Sequence, residues 1–236
     1  MPAEVVNVQM PVLMTSLRAK AAGAFIALAA GDALGWPQEF PRKRLGRQPT
    51  EPPSTGLRAW QRRGGGRYYP HAERIEAGEY SDDTQLTLAV ARARRYPGTG
   101  WYRALTRAEL PLWTGYERGG GGATKRAATL WAKGTAPWKS ADVTQVRRYF
   151  EAGGNGVAMR VLPHAVFYAG CADPAPMIRD VIMDGMATHG HPRALLGAAG
   201  YAFAAWVLLR AEDTLGYGAL VDGMLEARAL WARRWM

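Results

Sequence analysis

Two adjacent carboxylates between two hydroxyl side chains, in the tetrapeptide Ser81–Thr84, form the segment of this sequence best suited to chemistry. Mg²⁺ and similar hard cations prefer oxygen ligands and usually take one or two carboxylates plus waters. A hydroxyl and two carboxylates in succession can serve one ion or bridge two. The alternative is structural, because Ser and Asp also cap the first turn of a helix and suit its dipole. The motif alone leaves both interpretations open.

A further acidic residue, Asp32, stands within an apolar, alanine-rich segment, in the phrase Gly31–Gly35. An Asp in such surroundings is costly unless it is paired or hydrogen-bonded. It is therefore either a buried side chain bonded to backbone at a helix end or part of a site. Glu39 follows a proline, and we expect it to be a mobile carboxylate at the mouth of a site.

Glycine-rich turns supply the candidate anion-binding loops. Glycines ahead of a helix let backbone N–H groups point at an anion, and the helix N-terminus adds a favourable potential. Gly153–Gly156 precedes a predicted helix in this way, although it is neither a Walker A loop nor a dinucleotide fingerprint. Gly119–Gly122, followed by Thr124 and Arg126, is a second candidate. A turn between packed helices, or a linker, is the structural alternative.

A pair of histidines in Thr188–Pro192 completes the set of chemically notable residues. Their spacing of two positions and the proline after them suit helical metal ligation poorly. His189 is instead expected to lie near a phosphate or a sugar, or to be a satisfied structural histidine.

Helical patterns dominate the elements that must position these side chains. Strand-type alternation is nearly absent and alanine is abundant, so the sequence predicts an all-α fold. The first helix starts at a Thr15 or Ser16 cap and stops near Leu34, because Pro37 and Pro41 follow. Later helices are predicted over Asp82–Arg95, Trp101–Trp113, Ala123–Ala132, a short stretch after Asp142, Val157–Ala169, Pro174–Thr188, Pro192–Arg210 and Asp213–Trp235.

The chain has 236 residues, 48% of them hydrophobic, which is enough for one domain with a real core. The single cysteine, Cys171, excludes a disulfide framework and zinc-finger spacings. The apolar run Ala194–Leu209 is shorter than the roughly 18 residues that span a bilayer, and the N-terminus has no signal-peptide pattern. We expect a cytoplasmic protein without a membrane partner, with a flexible N-terminus over residues 1–14 and a helical domain over residues 15–236.

Positive charge is concentrated in one irregular segment. The chain has 30 Lys and Arg against 20 Asp and Glu, a net charge of +10. Much of the excess lies in Arg42–Arg74, within a predicted basic loop or lid over residues 41–80. Phosphates dominate the affinity of nucleic-acid binders, so this segment is a candidate nucleic-acid contact, with Trp60, Tyr68 and Tyr69 available for base stacking. The alternative is a solvated lid that attracts a small polyphosphate substrate.

In their order and in their residues, these motifs resemble those of the ADP-ribosylglycohydrolase family, to which the dinitrogenase reductase-activating glycohydrolase belongs. The resemblance covers roughly Leu17 to Arg210 and rests on Gly31–Gly35 with Glu39, Ser81–Thr84, Gly119–Gly122, Gly154–Arg160 and Thr188–Pro192. It implies a single orthogonal all-α bundle. It also implies hydrolysis of the glycosidic bond that links ADP-ribose to a modified target, with release of ADP-ribose.

The same resemblance implies roles for individual residues. It places two Mg²⁺ or Mn²⁺ ions on Ser81, Asp82 and Asp83, with Glu39 and Asp83 as catalytic carboxylates. The ions would polarise the sugar while an activated water attacks through an oxocarbenium-like transition state. The residues implied to hold the pyrophosphate and distal ribose or to line the pocket are Gly119, Gly120, Gly121, Gly154, Asn155, Gly156, Met159, Arg160 and His189.

One departure concerns a C-terminal Gly-Asp-x-Asp-Thr/Ser phrase from which the family supplies further metal ligands. After the histidine pair the acidic residues are Glu212, Asp213, Asp222 and Glu226, and none forms that phrase. The chain is then a hydrolase with a reduced metal site, a site completed by a partner chain, or a non-catalytic relative that binds ADP-ribose or nucleotides. A member that acts on ADP-ribosylated nucleic acid is an overlapping hypothesis, motivated by Arg42–Arg74.

Overall fold

The fold is built mainly from helices, and the all-α prediction is confirmed. The structure is a computed structural model, and it describes residues 16–43, 55–64, 70–212 and 215–225. Within these ranges the β structure is a single two-stranded sheet. The predicted flexible N-terminus, residues 1–14, lies outside them.

Helix α1, Leu17–Lys43, is longer than the sequence suggests. Ser16 caps it as predicted, because its Oγ accepts a backbone N–H at 3.3 Å. The predicted stop near Leu34 is wrong, since the helix continues through Pro37. Trp36 and Pro37 are both buried, and this tertiary packing outweighs the one helical hydrogen bond that a proline removes.

The other helices begin close to the predicted positions. Ser81 precedes the first residue of α2 and caps that helix, and the glycine run precedes α5. The predicted helix Trp101–Trp113 is continuous, with a π-helical middle turn over Leu105–Glu109. The helices after α1 are α2 (Asp82–Ala93), α3 (Gly100–Ala104), α4 (Leu110–Trp113), α5 (Gly122–Ala132), α6 (Val143–Phe150), α7 (Leu162–Phe167), α8 (Ala175–Met186) and α9 (Pro192–Arg210).

Two predicted helices differ from the structure. Val157–Ala169 is divided into a 3₁₀ turn, Ala158–Arg160, and α7, because Pro163 fits only the first turn of a helix. Of the predicted C-terminal helix, residues 219–225 are helical, and residues 226–236 lie outside the described part of the chain.

The basic segment before α2 contains an antiparallel hairpin that the sequence analysis did not predict. Strand β1 (Trp60–Gly64) pairs with β2 (His71–Ile75). Arg62 stands directly opposite Glu73, and the two side chains form an ion pair at 3.3 Å. The rest of the predicted lid is only partly covered by the described ranges, so its role remains a prediction.

Two apolar clusters form the core. One lies among α7, α8 and α9 and includes Met177 and Trp206, and the other lies among α2, the α3–α4 helix and α5 and includes Leu86 and Trp113. Full burial of a large apolar side chain stabilises a fold by about 1.5–3 kcal/mol. These clusters therefore provide the main driving force that holds the site's helices together.

Helix α9 has the length and apolar composition of a membrane span, yet it contributes to the core. It is the single helix in the described residues that passes such a test, and 39% of its apolar window is buried inside the fold. The buried residues include Ala198, Ala202 and Trp206. The apolar run Ala194–Leu209 lies within this helix, whose 19 residues also include Arg193 and Arg210. The helix packs against α7 and α8 in the first apolar cluster.

A buried ionic network joins the 3₁₀ turn to α7 and α8. Arg160 and Asp184 are fully buried and pair at 2.8 Å, and His164 Nε2 lies 2.9 Å from the same carboxylate. Burial alone would raise the pKa of Asp184, but the Arg160 guanidinium and the His164 hydrogen bond hold it below its ordinary value. Arg160 also donates to Gly156 O and to Thr188 Oγ1, both at 2.9 Å. The network thereby fixes the glycine turn.

Asp184→Ala leaves the guanidinium of Arg160 buried without a counter-charge, and we expect the free energy of unfolding to fall by about 3–5 kcal/mol. The control, Glu151→Ala, removes an exposed pair with Arg147 at 3.7 Å and should cost less than about 0.5 kcal/mol. Urea denaturation followed by circular dichroism measures both changes. Equal losses in the two variants would contradict the role given to Asp184.

Candidate active site

The carboxylate of Asp32 on α1 holds the start of α2. Its Oδ1 accepts the Ser81 hydroxyl at 2.6 Å, and its Oδ2 accepts the Thr84 hydroxyl at 2.7 Å. The backbone N–H groups of the same two residues donate to Oδ2, each at 3.0 Å. These bonds offset the cost of an Asp in an apolar helix. Asp32 is thus bonded to backbone, as one interpretation predicted, and it also borders the pocket described next.

One face of α1 forms a wall of a pocket of about 460 Å³. The α1 residues on this wall recur at every third or fourth position, and they are Leu28, Gly31, Asp32, Gly35, Trp36 and Glu39. The other lining residues are Asp83 from α2, Tyr201 from α9, and Asn155, Ala158 and Met159. The last three belong to the second glycine-rich turn along the chain, residues 153–160, which ends in the 3₁₀ turn Ala158–Arg160. Glu39, expected after a proline turn, lies instead on the same helical face as Asp32, because α1 does not stop at Pro37.

The two carboxylates that begin α2 have different neighbours. Asp83 borders the pocket, whereas Asp82 Oδ1 lies beside Gly119. Burial raises the pKa of Asp82 to about 7, with a further contribution from the charge of Asp83. Burial also raises the pKa of Asp83 to about 6, and the charges of Asp32 and Glu39 contribute to the same rise. Several carboxylates therefore lie close together in a partly desolvated site, and a bound cation would reduce their mutual repulsion.

The donor set fits a hard divalent cation in its chemistry but is incomplete in its geometry. Carboxylate oxygens are the ligands that such ions prefer. The Ser81 hydroxyl donates to Asp32 and accepts from Asp83 N at 3.4 Å, which leaves it one lone pair. In the described ranges, no three His, Cys, Asp or Glu side chains converge as metal ligands. The two ions on Ser81, Asp82 and Asp83 remain a prediction.

The glycine run before α5 packs tightly against its surroundings. Gly119 has a φ of +91°, and a Cβ there would lie 3.0 Å from Trp36 Nε1, so conformation and space both require glycine. A Cβ at Gly120 would lie 2.4 Å from Trp113 Cη2. Gly121 has open space at its Cβ position and is the N-cap of α5. The run is therefore a shaped loop and not a linker.

Gln85, which the sequence analysis missed, fixes the turn that leads into this run. Its Nε2 donates to Tyr116 O at 2.9 Å, and its Oε1 accepts from Trp113 Nε1 and Arg118 N, both at 3.1 Å. The Arg118 guanidinium lies 5.2 Å from the ring centroid of Trp36, on the pocket wall. The only sequence signal for Gln85 is its position directly after the acidic motif.

The second glycine-rich turn contributes to the pocket through two of its predicted residues. Asn155 and Met159 line the pocket, and Gly154 borders open space. Gly156 packs against the ring of His189, where a Cβ would lie 2.9 Å from Cε1. The absence of a side chain at Gly156 is therefore what allows the turn to lie on the histidine.

Two predicted substrate-binding side chains, those of Arg160 and His189, are buried and do not line the pocket. Arg160 is used by the buried ionic network, and His189 Nδ1 shares a hydrogen bond of 2.7 Å with Thr188 Oγ1. Burial, together with the charges of Arg160 and Arg126, lowers the pKa of His189 to about 3. The imidazole is therefore neutral at neutral pH. Both side chains contact Gly156 from the protein interior, away from the pocket.

Asp32→Asn replaces one acceptor oxygen by an NH₂ group that faces N–H and O–H donors. We expect the free energy of unfolding to fall by about 1–3 kcal/mol, since buried donors lose their acceptor. Asp142→Asn is the matched control, because Asp142 caps α6 and Asn caps helices equally well. Guanidinium denaturation compares the two. Equal stability of both variants would refute the anchoring role of Asp32.

Gly156→Ala places a methyl group against His189, and overpacking of this kind lowers the free energy of unfolding by about 1–3 kcal/mol. Gly154→Ala, two residues earlier in the same turn, meets open space and should be neutral or stabilising by up to about 1 kcal/mol. Thermal and urea denaturation measure the difference. If both glycines tolerate alanine equally, the packing of the turn on His189 is wrong.

Comparison with known proteins agrees with the motifs and the fold. The sequence model of the ADP-ribosylglycohydrolase family matches residues 13–235. A curated relative, the ADP-ribosyl-(dinitrogen reductase) glycohydrolase of Rhodospirillum rubrum, is 32% identical over 182 residues, which cover 75% of this chain and 53% of the relative. The chain thus spans about half the length of that relative. Because the family match extends over nearly all of the sequence, this protein belongs to the ADP-ribosylglycohydrolase family.

Proposed function

We propose that this protein hydrolyses the glycosidic bond between ADP-ribose and a modified target, with a divalent cation held at Asp82 and Asp83. The observation that carries the proposal is the pocket in which carboxylates of α1 and α2 meet the second glycine-rich turn. Carboxylates with strongly raised pKa values beside a pocket are typical of functional sites. Family membership supports the reaction class.

The proposed roles of the chain's own residues follow from their places on the pocket. Asp83 and Glu39 face it and are the catalytic carboxylates, and Asp82 holds the cation together with Asp83. When bound, Mg²⁺ or Mn²⁺ supplies Lewis-acid polarisation of the sugar oxygens. One of the two catalytic carboxyl groups, in its ionised form, takes a proton from the attacking water, and the other, in its protonated form, gives a proton to the target as the bond from the anomeric carbon to the target breaks. Asn155 on the pocket wall hydrogen-bonds the substrate.

The glycine-rich segments are proposed to hold the phosphates and the distal ribose. The cap residue of α5, Gly121, brings no side chain to the first N–H groups of that helix. Such groups, which lack partners within the helix, bind anions well. Gly119, which lies beside Asp82, and the turn Gly154–Gly156, whose Asn155 lines the pocket, offer further backbone donors, whereas the Gly120 N–H already donates to Glu117 Oε2 at 2.9 Å.

A second candidate is a non-catalytic binder of ADP-ribose or nucleotides. The incomplete set of metal ligands in the described ranges favours it. A partner chain that completes the site would explain the same observation. Action on ADP-ribosylated nucleic acid is a narrower form of the main proposal. Of the basic residues proposed for it, Arg62 and Arg74 are paired with Glu73 and Glu76. A cytoplasmic location stays an expectation.

The test is release of ADP-ribose from ADP-ribosylated protein and nucleic acid, with Mg²⁺ or Mn²⁺ and after chelation. Asp83→Asn should lower kcat/KM by about 10²–10⁴-fold, the range of a lost general acid or base. Asp142→Asn makes the same chemical change at a residue that does not line the pocket, and it should leave kcat/KM unchanged.

Three results would contradict the proposal. They are an Asp83→Asn variant as active as the parent, full activity after chelation, and no release from any substrate. Calorimetric binding of ADP-ribose that needs no divalent cation and leads to no release would identify the non-catalytic binder.

A further inference from the structure

A second, narrow cavity lies between α5 and α6, and it shares no lining residue with the proposed reaction pocket. Its volume is about 10 Å³, close to what one water-sized group occupies. Its apolar lining consists of Ala123, Ala127, Leu130 and Pro137. Its polar lining consists of Arg126, Gln145, Arg148, Tyr149 and Thr188, and no carboxylate lines it.

Three of these polar side chains have no hydrogen-bond partner among the described residues. Arg126, Gln145 and Arg148 make no side-chain hydrogen bond or ion pair with any residue in the described ranges. The other two polar groups are satisfied, because Tyr149 donates to Met186 O at 2.8 Å and Thr188 Oγ1 bonds to Arg160 and His189. The free groups at this cavity are therefore two cationic guanidinium groups, which only donate, and the amide of Gln145, which donates through Nε2 and accepts through Oε1.

Arg126 and Arg148 line the same cavity, which no carboxylate lines, so their like charges repel each other and an anion bound between them would remove that repulsion. Arg126 is half-buried and also lies against the first turn of α5, with Nη1 close to Gly122, where the helix dipole adds positive potential. The planar donor fork of arginine matches phosphate oxygens in pairs.

The size of the cavity selects among phosphate ligands. It accepts a single oxygen, so the remaining oxygens of the ligand stay at the mouth, where Arg148 is exposed. A terminal phosphate has three unsubstituted oxygens, so two remain for Arg148 when one enters the cavity, whereas an internal phosphate of a diphosphate has two and leaves only one. We propose that the cavity formed by Arg126, Gln145 and Arg148 binds a terminal phosphate group, either inorganic phosphate or the monophosphate of a nucleotide.

The test is isothermal titration of the full-length chain with inorganic phosphate, AMP, adenosine and ADP-ribose. Arg148→Ala changes an exposed side chain, so the fold is kept, and Arg126→Met is the second variant. Arg147→Ala is the matched control, because Arg147 is next in sequence but pairs with Glu151. We expect each variant to raise the Kd for phosphate at least tenfold and the control to leave it unchanged.

The ligand series separates the two sources and the two sites. Tighter binding of AMP than of phosphate indicates a nucleotide ligand, equal binding indicates free phosphate, and adenosine should not bind. The Kd for ADP-ribose should be the same in Arg148→Ala and in the parent. The proposal is overturned if phosphate does not bind the parent, if Arg148→Ala and Arg147→Ala bind phosphate equally, or if Arg148→Ala loses ADP-ribose, since the cavity would then belong to the reaction pocket.

Discussion

The hydrogen bonds to the carboxylate of Asp32 are the interaction on which the geometry of the acidic site depends. Ser81 and Thr84 each donate a hydroxyl and a backbone N–H to it. The bonds satisfy a charge inside an apolar helix and, at the same time, N–H groups at the start of α2 that have no partner within that helix. Asp82 and Asp83 lie in sequence between the two anchored residues. They are consequently held at the junction of α1 and α2, although their mutual repulsion favours exposure to solvent.

Three buried or half-buried polar side chains play equivalent roles in the three walls of the site. Asp32 fixes the acidic motif, Gln85 fixes the turn before the first glycine run, and Arg160 fixes the second glycine-rich turn through Gly156 O. Each of these side chains forms several hydrogen bonds with another segment of the chain, and these bonds hold that segment in one position. The apolar clusters among α2–α5 and α7–α9 stabilise the fold enough to hold carboxylates whose crowding opposes it.

The sequence was sufficient to predict the all-α class, most helix positions and the family, because apolar periodicity, caps and the order of the motifs are local signals. Local signals failed where tertiary packing decides the outcome. Helix α1 passes Pro37 because Trp36 is buried beside it, and this moves Glu39 onto the face that carries Asp32. The partners of Asp32 lie 49 and 52 residues away, a separation that no spacing rule covers. The burial of Arg160, predicted to bind substrate, likewise depends on the distant Asp184.

A double-mutant cycle between Asp32 and Thr84 tests this account most directly. Asp32→Asn, Thr84→Val and the double variant are compared with the parent by the free energy of unfolding in urea. If Asp32 holds the acidic motif through Thr84, the two changes are coupled by about 1–3 kcal/mol, as for residues in one hydrogen-bond network. Additive effects, with a coupling below about 0.5 kcal/mol, would contradict the claim that this carboxylate organises the site.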